Sequence, residues 1–535
     1  MNQSKSLLRF AAAPVLCTLA CMTLGAARST TGYEELVSLF ADWRAFQKPG
    51  LVNGVPDYSS EAMATQHRRL ADYQKKLSSL DASHWPIPQQ VDWRIVQAEM
   101  NGLDFDHRVL RPWANNPAFY VTVFPSQSDQ PAREGPFALG AVELWKYSFP
   151  LTPEQAQEVA SGLRTIPALL EQAKRNLVGN GRDLWVFGAK ALREQSRDLA
   201  QLATRSSDVS LNTEIERARL ATDAFAGWIE AQVPSKQGPS GVGIDNYNWY
   251  LKHVQLVPYT WQDELTLVTR ELGRARSFLA LEEQRNAGLP EQVPVASAEE
   301  HTRRFNEGVT EYMAFLRDHE ILSVQEWMDP ALRARIGTFS PGPREFFTEV
   351  DYRDPEIMRT HGYHWFDLAR MERSPHQSPI RRGPLLYNIF NTRTEGHATG
   401  WEEMMLQAGM FDARPRSREL IYVLVAQRAA RALGDLRMQA NELTLEQAAE
   451  FAAANTPRGW LRLDAETVRS EQHLYLQQPA YGTSYLIGKM MIEQLMSTRR
   501  QQLGDQFSLK RFMDEFDATG LIPVSLVIWE LTAPR

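Results

Sequence analysis

The stretch TEGHATGWEEMM, Thr394 to Met405, packs Glu395, His397, Glu402 and Glu403 into twelve residues. Just upstream, RTHGYHWFDLARM sets His361 and His364 three apart, a spacing that shares one face of a helix. Four of the eleven histidines, His361, His364, His376 and His397, fall in this region. Two imidazoles one turn apart, with a carboxylate from a second helix, make a three-ligand zinc site whose fourth position is open to water. The alternative is a pair of hydrogen-bonded core histidines beside Trp365 and Phe366, since short histidine motifs often match by chance.

In a helix Glu395 and Glu402 face the same way, with Glu403 on the flank. The flanking LLYNIF and MMLQAGMF are apolar, so part of this segment is expected to be buried. A buried carboxylate needs donors or a cation, and a metal ion or Arg393 would serve. Further on, EQHLYLQQPAYGTSYLIGK gathers Glu471, His473, Tyr475, Tyr481 and Tyr485 around Pro479 and Gly482. Tyrosine hydroxyls can donate to a developing oxyanion, and Tyr485 is the candidate for that role. Plain aromatic packing is the other reading. No G-x-S-x-G, P-loop, G-x-G-x-x-G or H-E-x-x-H motif occurs.

Helix signals dominate the elements that must hold these residues. SSEAMATQHRRLADYQKKLSSL carries Met63, Leu70, Tyr73, Leu77 and Leu80 along one face. Thr152 with Gln155, Ser297 with Glu300, and Thr444 with Gln447 have the spacing of capping boxes. A long helix is expected from Trp261 to about Asn286, stopped by Gly288 and Pro290. Only FYVTVF, Phe119 to Phe124, reads as a strand. The expected fold is mainly α, with an N-terminal helical half over 28–237 and a C-terminal half over 238–535 that carries the site.

The chain has 535 residues, 43% of them hydrophobic and 23% charged, which fits a globular protein. Its formal net charge is −7, without a long basic run, so nucleic acid is a poor partner. Lys5 and Arg9 precede the apolar run FAAAPVLCTLACMTLGAA, the pattern of a secretory signal peptide over residues 1–27. The expectation is a periplasmic or secreted protein with no transmembrane span once the leader is removed. Cys21 after TLA resembles a weak lipoprotein box, so a lipid anchor there is the minority alternative. Both cysteines, Cys17 and Cys21, lie in this segment, so no disulfide or thiolate ligand is expected beyond it.

Several of these segments together resemble the bacterial family of domain of unknown function 885. EGHATGWE resembles its EGWALYAE helix, and RAARALGDLRMQ its RAARLVVDTGLH segment, with Arg428, Arg431 and Asp435 kept. TLEQAAEFAAANT and EQHLYLQQPAYGTSYLIG resemble two further patterns, the second retaining Glu471, Tyr475, Pro479, Ser484, Tyr485 and Gly488. The family is similar to helical zinc peptidases built as two halves around a deep cleft. That resemblance implies Glu395 as a metal ligand together with His364, and with His361 in the family's histidine segment. The chain departs from the pattern where HExxPGHH should stand, and Gln439 replaces the histidine of GLH.

The role of general base would then pass to Glu402, Glu403 or Asp367. The implied protein is an exported, divergent zinc-dependent hydrolase of peptide or small amide substrates. The alternative is a catalytically inactive pseudo-peptidase acting as a periplasmic binding or scaffold protein.

Overall fold

The computed structural model describes residues 27–534; the expected leader and Cys21 fall outside the described residues, apart from Ala27 at its end. The fold is mainly α, as expected, with twenty-two α-helices among the described residues. Extended structure is confined to two pairs of two-residue strands: Leu51–Val52 antiparallel to Val55–Pro56, and Val123–Phe124 parallel to Val142–Glu143. No helix among the described residues is long and apolar enough to cross a membrane.

Local signals placed the helices well. Met63, Leu70 and Leu77 are buried on the Ser60–Ser78 helix. Thr152 and Gln155 close a capping box, as do Thr444 and Gln447. Ser297 caps its helix, but Glu300 turns its carboxylate to the amide of Ala296 instead. The Trp261–Arg285 helix ends within a residue of its expected limit.

The FYVTVF strand needs correction. Phe119 and Tyr120 belong to a 3-10 turn, Pro117–Tyr120, started by Pro117 and capped by the Asn116 side chain, and only Val123–Phe124 is extended. The amides of Thr122 and Val123 both donate to Gln195 Oε1, at 2.7 and 3.0 Å. A tertiary side chain thus takes the place of a ladder partner, which propensity cannot foresee.

The larger core joins the first helices, through Leu36, Trp43 and Ile95, to residues such as Val268, Phe305, Trp401, Leu424 and Ile487. A second core forms around Trp113, Tyr120, Leu163, Trp185 and Ile229. Two helices run through the middle of the larger one. Every residue from Asn391 to Glu403 is buried on the Asn391–Gln407 helix, and every residue from Glu419 to Leu436 on the Pro415–Gln439 helix. Such helices expose no face to water, so their polar side chains must find partners inside the protein.

The Asn391–Gln407 helix packs directly on the Tyr481–Leu503 helix through two glycines. A Cβ on Gly396 would overlap the backbone of Gly488, and one on Gly488 would overlap that of Thr392. This close approach sets Glu395 against Tyr481, whose hydroxyl donates to Glu395 Oε1.

Candidate metal centre

His361 and His364 do not share one uninterrupted helix. His361 ends the Pro355–His361 helix, Gly362 makes the bend, and His364 lies in the first turn of Tyr363–Arg373. A side chain at Gly362 would crowd Leu332 and the Arg359 carbonyl. The bend still keeps the rings together, with centroids 5.0 Å apart.

A third group arrives from a distant loop. Asp129 stands between the Val123–Phe124 and Val142–Glu143 strands, and one ligand atom from each of Asp129, His361 and His364 lies within 4.8 Å of the others. Ligands around a tetrahedral zinc sit about 3.4 Å from one another, so a movement of about 1 Å would close the set. Glu395 lies beside this group, its Oε2 3.4 Å from His364 Nε2.

The same loop orients these side chains. Gln130 Nε2 donates to Glu395 Oε1 at 2.9 Å and lies 3.4 Å from His364 Nδ1, while Thr394 Oγ1 donates to Gln130 Oε1 at 2.6 Å. Gln130 and Tyr481 therefore occupy Glu395 Oε1 and leave Oε2 facing His364. Glu395 Oε2 and His364 Nε2 are both buried without a hydrogen-bond partner among the described residues. The converging residues, two imidazoles and one carboxylate, are donors of the kind that can hold a divalent cation, and Glu395 adds a second carboxylate beside His364.

Burial disfavours the charged imidazole of His364, but Asp129 and Glu395 outweigh it and push the ring up to about 9. Burial likewise opposes ionisation of Glu395, yet His364, His361 and Tyr481 bring it down to about 2. His361 differs: burial and the neighbouring Arg428 hold it below the usual imidazole range. Its Nδ1 is 3.1 Å from Glu402 Oε1 and 3.1 Å from Arg428 Nη2. With Nδ1 turned to Glu402, Nε2 is the atom left for a ligand, the carboxylate–histidine arrangement common around bound metals.

Glu402 itself is fully buried and clamped by Arg428 through two hydrogen bonds of 2.8 Å. Glu403 points elsewhere, with Arg274 at 2.7 and 2.8 Å and Lys489 at 3.0 Å. Asp367 is held by Arg370 and Arg393. His397 packs among Tyr363, Trp401 and Phe516, and burial together with Arg393 keeps its ring neutral.

The cluster opens onto a cavity of about 410 Å³ lined by Asp129, His361 and Glu395, and by Arg428, Arg431 and Glu471. Tyr475, Tyr481, Tyr485 and Glu134 complete its polar wall. Glu471 pairs with Arg431 through one oxygen and leaves Oε2 without a partner, and the Tyr475 hydroxyl is also unpaired. Burial, then the charge of Asp129, lifts Glu134 to about 7. Sequence reasoning missed Asp129, Gln130 and Glu134. Their one signal is the polar loop SQSDQPAREG between apolar segments, and long loops of this kind often carry function.

Residues 362–530 match the family described as bacterial protein of unknown function (DUF885), so the resemblance read from the sequence is borne out there. That stretch carries His364, Glu395, Arg428, Glu471 and Tyr485. Among solved structures, a candidate lipoprotein of unknown function from Shewanella oneidensis is similar over 94% of this chain and 98% of its own. Its identity is 15% and its TM-score 0.66. A candidate lipoprotein from Colwellia psychrerythraea has the same coverage, with 16% identity and a TM-score of 0.64. At such identity the likeness is one of fold. No curated protein matches the chain.

Proposed function

We propose that this protein is a metal-dependent hydrolase acting on a peptide or a small amide. The observation that carries the reading is the convergence of Asp129, His361 and His364, with Glu395 beside them, where Asp129, His361 and Glu395 help line a cavity. A bound divalent ion, zinc by the nature of these donors, would supply Lewis acidity toward a substrate carbonyl.

The chain's own residues would do the rest. Glu402, clamped by Arg428, orients His361 and is a positioning residue in this reading. Glu134 and Glu471 line the cavity with carboxyl groups raised by burial, and Glu134, at about 7, suits proton transfer near neutral pH. The hydroxyls of Tyr475 and Tyr485 would donate to charge developing on a carbonyl oxygen. Both hydroxyls are held far above the usual phenol range, first by burial, so they stay protonated donors.

The reading predicts that the purified protein cleaves members of a peptide library, that a chelator abolishes cleavage, and that added zinc restores it. Cleavage that persists after the metal has been removed would contradict it.

A second reading, a binding protein of the same cavity without turnover, draws on one observation: Glu402 and Glu403, the expected bases, are both tied to cations. Glu134→Gln distinguishes the two, because it would abolish cleavage in a hydrolase and leave ligand capture in a binding protein. Export is part of either reading. The description of both solved relatives as candidate lipoproteins supports attachment through Cys21. Mass spectrometry of the mature N-terminus, starting at an acylated Cys21 or at Arg28, separates lipidation from release.

A further inference from the structure

A second cavity, of about 330 Å³, opens on the other side of the loop that carries Asp129. Its walls are mostly apolar and aromatic, formed by Met63, Leu103, Trp113, Phe119 and Phe137. Arg133, Gly135 and Pro136 of the loop line it as well, so the loop separates this cavity from the metal cluster. The volume is within the range of small-molecule sites.

One carboxyl group stands in this apolar wall. Asp106 opens a five-residue π-helix, Asp106–Leu110, that ends in left-handed Arg111. Its backbone carbonyl accepts from Arg111, but its side chain has no hydrogen-bond or ion-pair partner among the described residues. The two cations that line the cavity do not pair with it, although the buried Nε of Arg133 has no partner of its own. Arg133 donates to the Ser126 carbonyl and stacks on Phe124 at 4.0 Å, and Lys48 is exposed on the rim. Burial alone lifts the Asp106 carboxyl to about 7.

The surrounding backbone is unusual in the same place. A second π-helix, Leu251–Gln255, follows directly on Tyr250, and Tyr387 and Asn388 adopt positive φ of 56° and 47°. All three of these side chains line the cavity. The Tyr387 ring lies against Gly102, where any Cβ would overlap it. Single-turn π-helices and left-handed non-glycine residues tend to persist where a ligand is held.

An unpaired carboxylate among aromatic rings is the arrangement that receives an organic cation. The ring faces attract the charge and the carboxylate neutralises it. We infer that this cavity binds an amphipathic organic amine, its ammonium group on Asp106 and its apolar body against Met63, Leu103, Trp113 and Phe119. Nothing in this inference depends on the metal cluster.

The probe is 4-phenylbutylamine, titrated calorimetrically into the whole protein beside its neutral and anionic counterparts, 4-phenylbutanol and 4-phenylbutyrate. One equivalent of the amine is expected to bind at least tenfold more tightly than the alcohol. Asp106→Asn is expected to remove that advantage and leave alcohol binding unchanged. It should also leave the thermal midpoint equal or raised, because the half-buried Asp106 carboxyl has no hydrogen-bond partner for the fold to lose. Equal affinity for amine and alcohol, tighter binding of the butyrate, or an undiminished amine affinity in Asp106→Asn would each overturn the inference. If that variant fails to fold, Leu139→Trp at the mouth, where Leu139 is exposed, should block the amine. Wild-type affinity in Leu139→Trp would then be the contrary result.

Discussion

Arg428→Met is expected to destabilise the protein by about 3–5 kcal/mol, the range for breaking a fully buried ion pair from one side. Arg428 and Glu402 are both out of contact with water and share two hydrogen bonds of 2.8 Å. Burial works against the Glu402 carboxylate, and Arg428 is the largest influence keeping it ionised. Without the guanidinium, Glu402 must either carry an unmatched charge or take up a proton. The double variant Arg428→Met, Glu402→Met should recover most of the loss, because two apolar side chains of similar volume remove both charges. Arg274→Ala provides the contrast, since Glu403 keeps Lys489 at 3.0 Å and Arg274 is partly exposed, so its effect should be much smaller. Thermal unfolding of the three variants beside the wild type checks this. A midpoint unchanged in Arg428→Met would mean that the pair is dispensable.

Asp129→Asn should lower affinity for zinc at least a hundredfold, and should also lower the thermal midpoint of the metal-free protein, because Asp129 helps hold the buried His364 imidazole charged. Loss of a neighbouring carboxylate that only orients a ligand typically costs 10–100-fold, and loss of a direct ligand should cost more. Asp129 is half-buried in a loop and its one hydrogen bond is a 3.3 Å contact from Gln130, so its part in the fold is the charge it sets near His364. Glu395→Gln is the informative partner. Gln130 and Tyr481 would still hold the amide oxygen, and an uncharged NH2 group would face His364 in place of Oε2. Competition titration with a chromophoric zinc chelator measures both. An Asp129→Asn protein with wild-type affinity would remove Asp129 from the ligand set.

The two variants also mark what could be read from the sequence. Glu395, His364 and His361 were legible because each sits in a segment with strong local character, helical and flanked by apolar residues. His361 and His364 meet and Glu395 lies beside His364, although Gly362 turns the expected single helix into two. Asp129 was not legible, because a loop has no periodicity and nothing local shows where it will land. For Glu402, one of the carboxylates expected to act as base, the surroundings depend on Arg428, one helix further on. The capping boxes at Thr152 and Thr444 were recovered because capping is settled within four residues. The strand at FYVTVF failed because Gln195, far along the chain, satisfies its amides.

The central claim is that the cluster of Asp129, His361, His364 and Glu395 holds a metal ion. Its most direct test is elemental analysis of the protein, purified without chelators or a histidine tag and then dialysed with one equivalent of zinc. The account predicts about one equivalent of retained zinc per chain, lost in a folded His361→Ala, His364→Ala double variant. A protein that carries no metal and takes up none would contradict it.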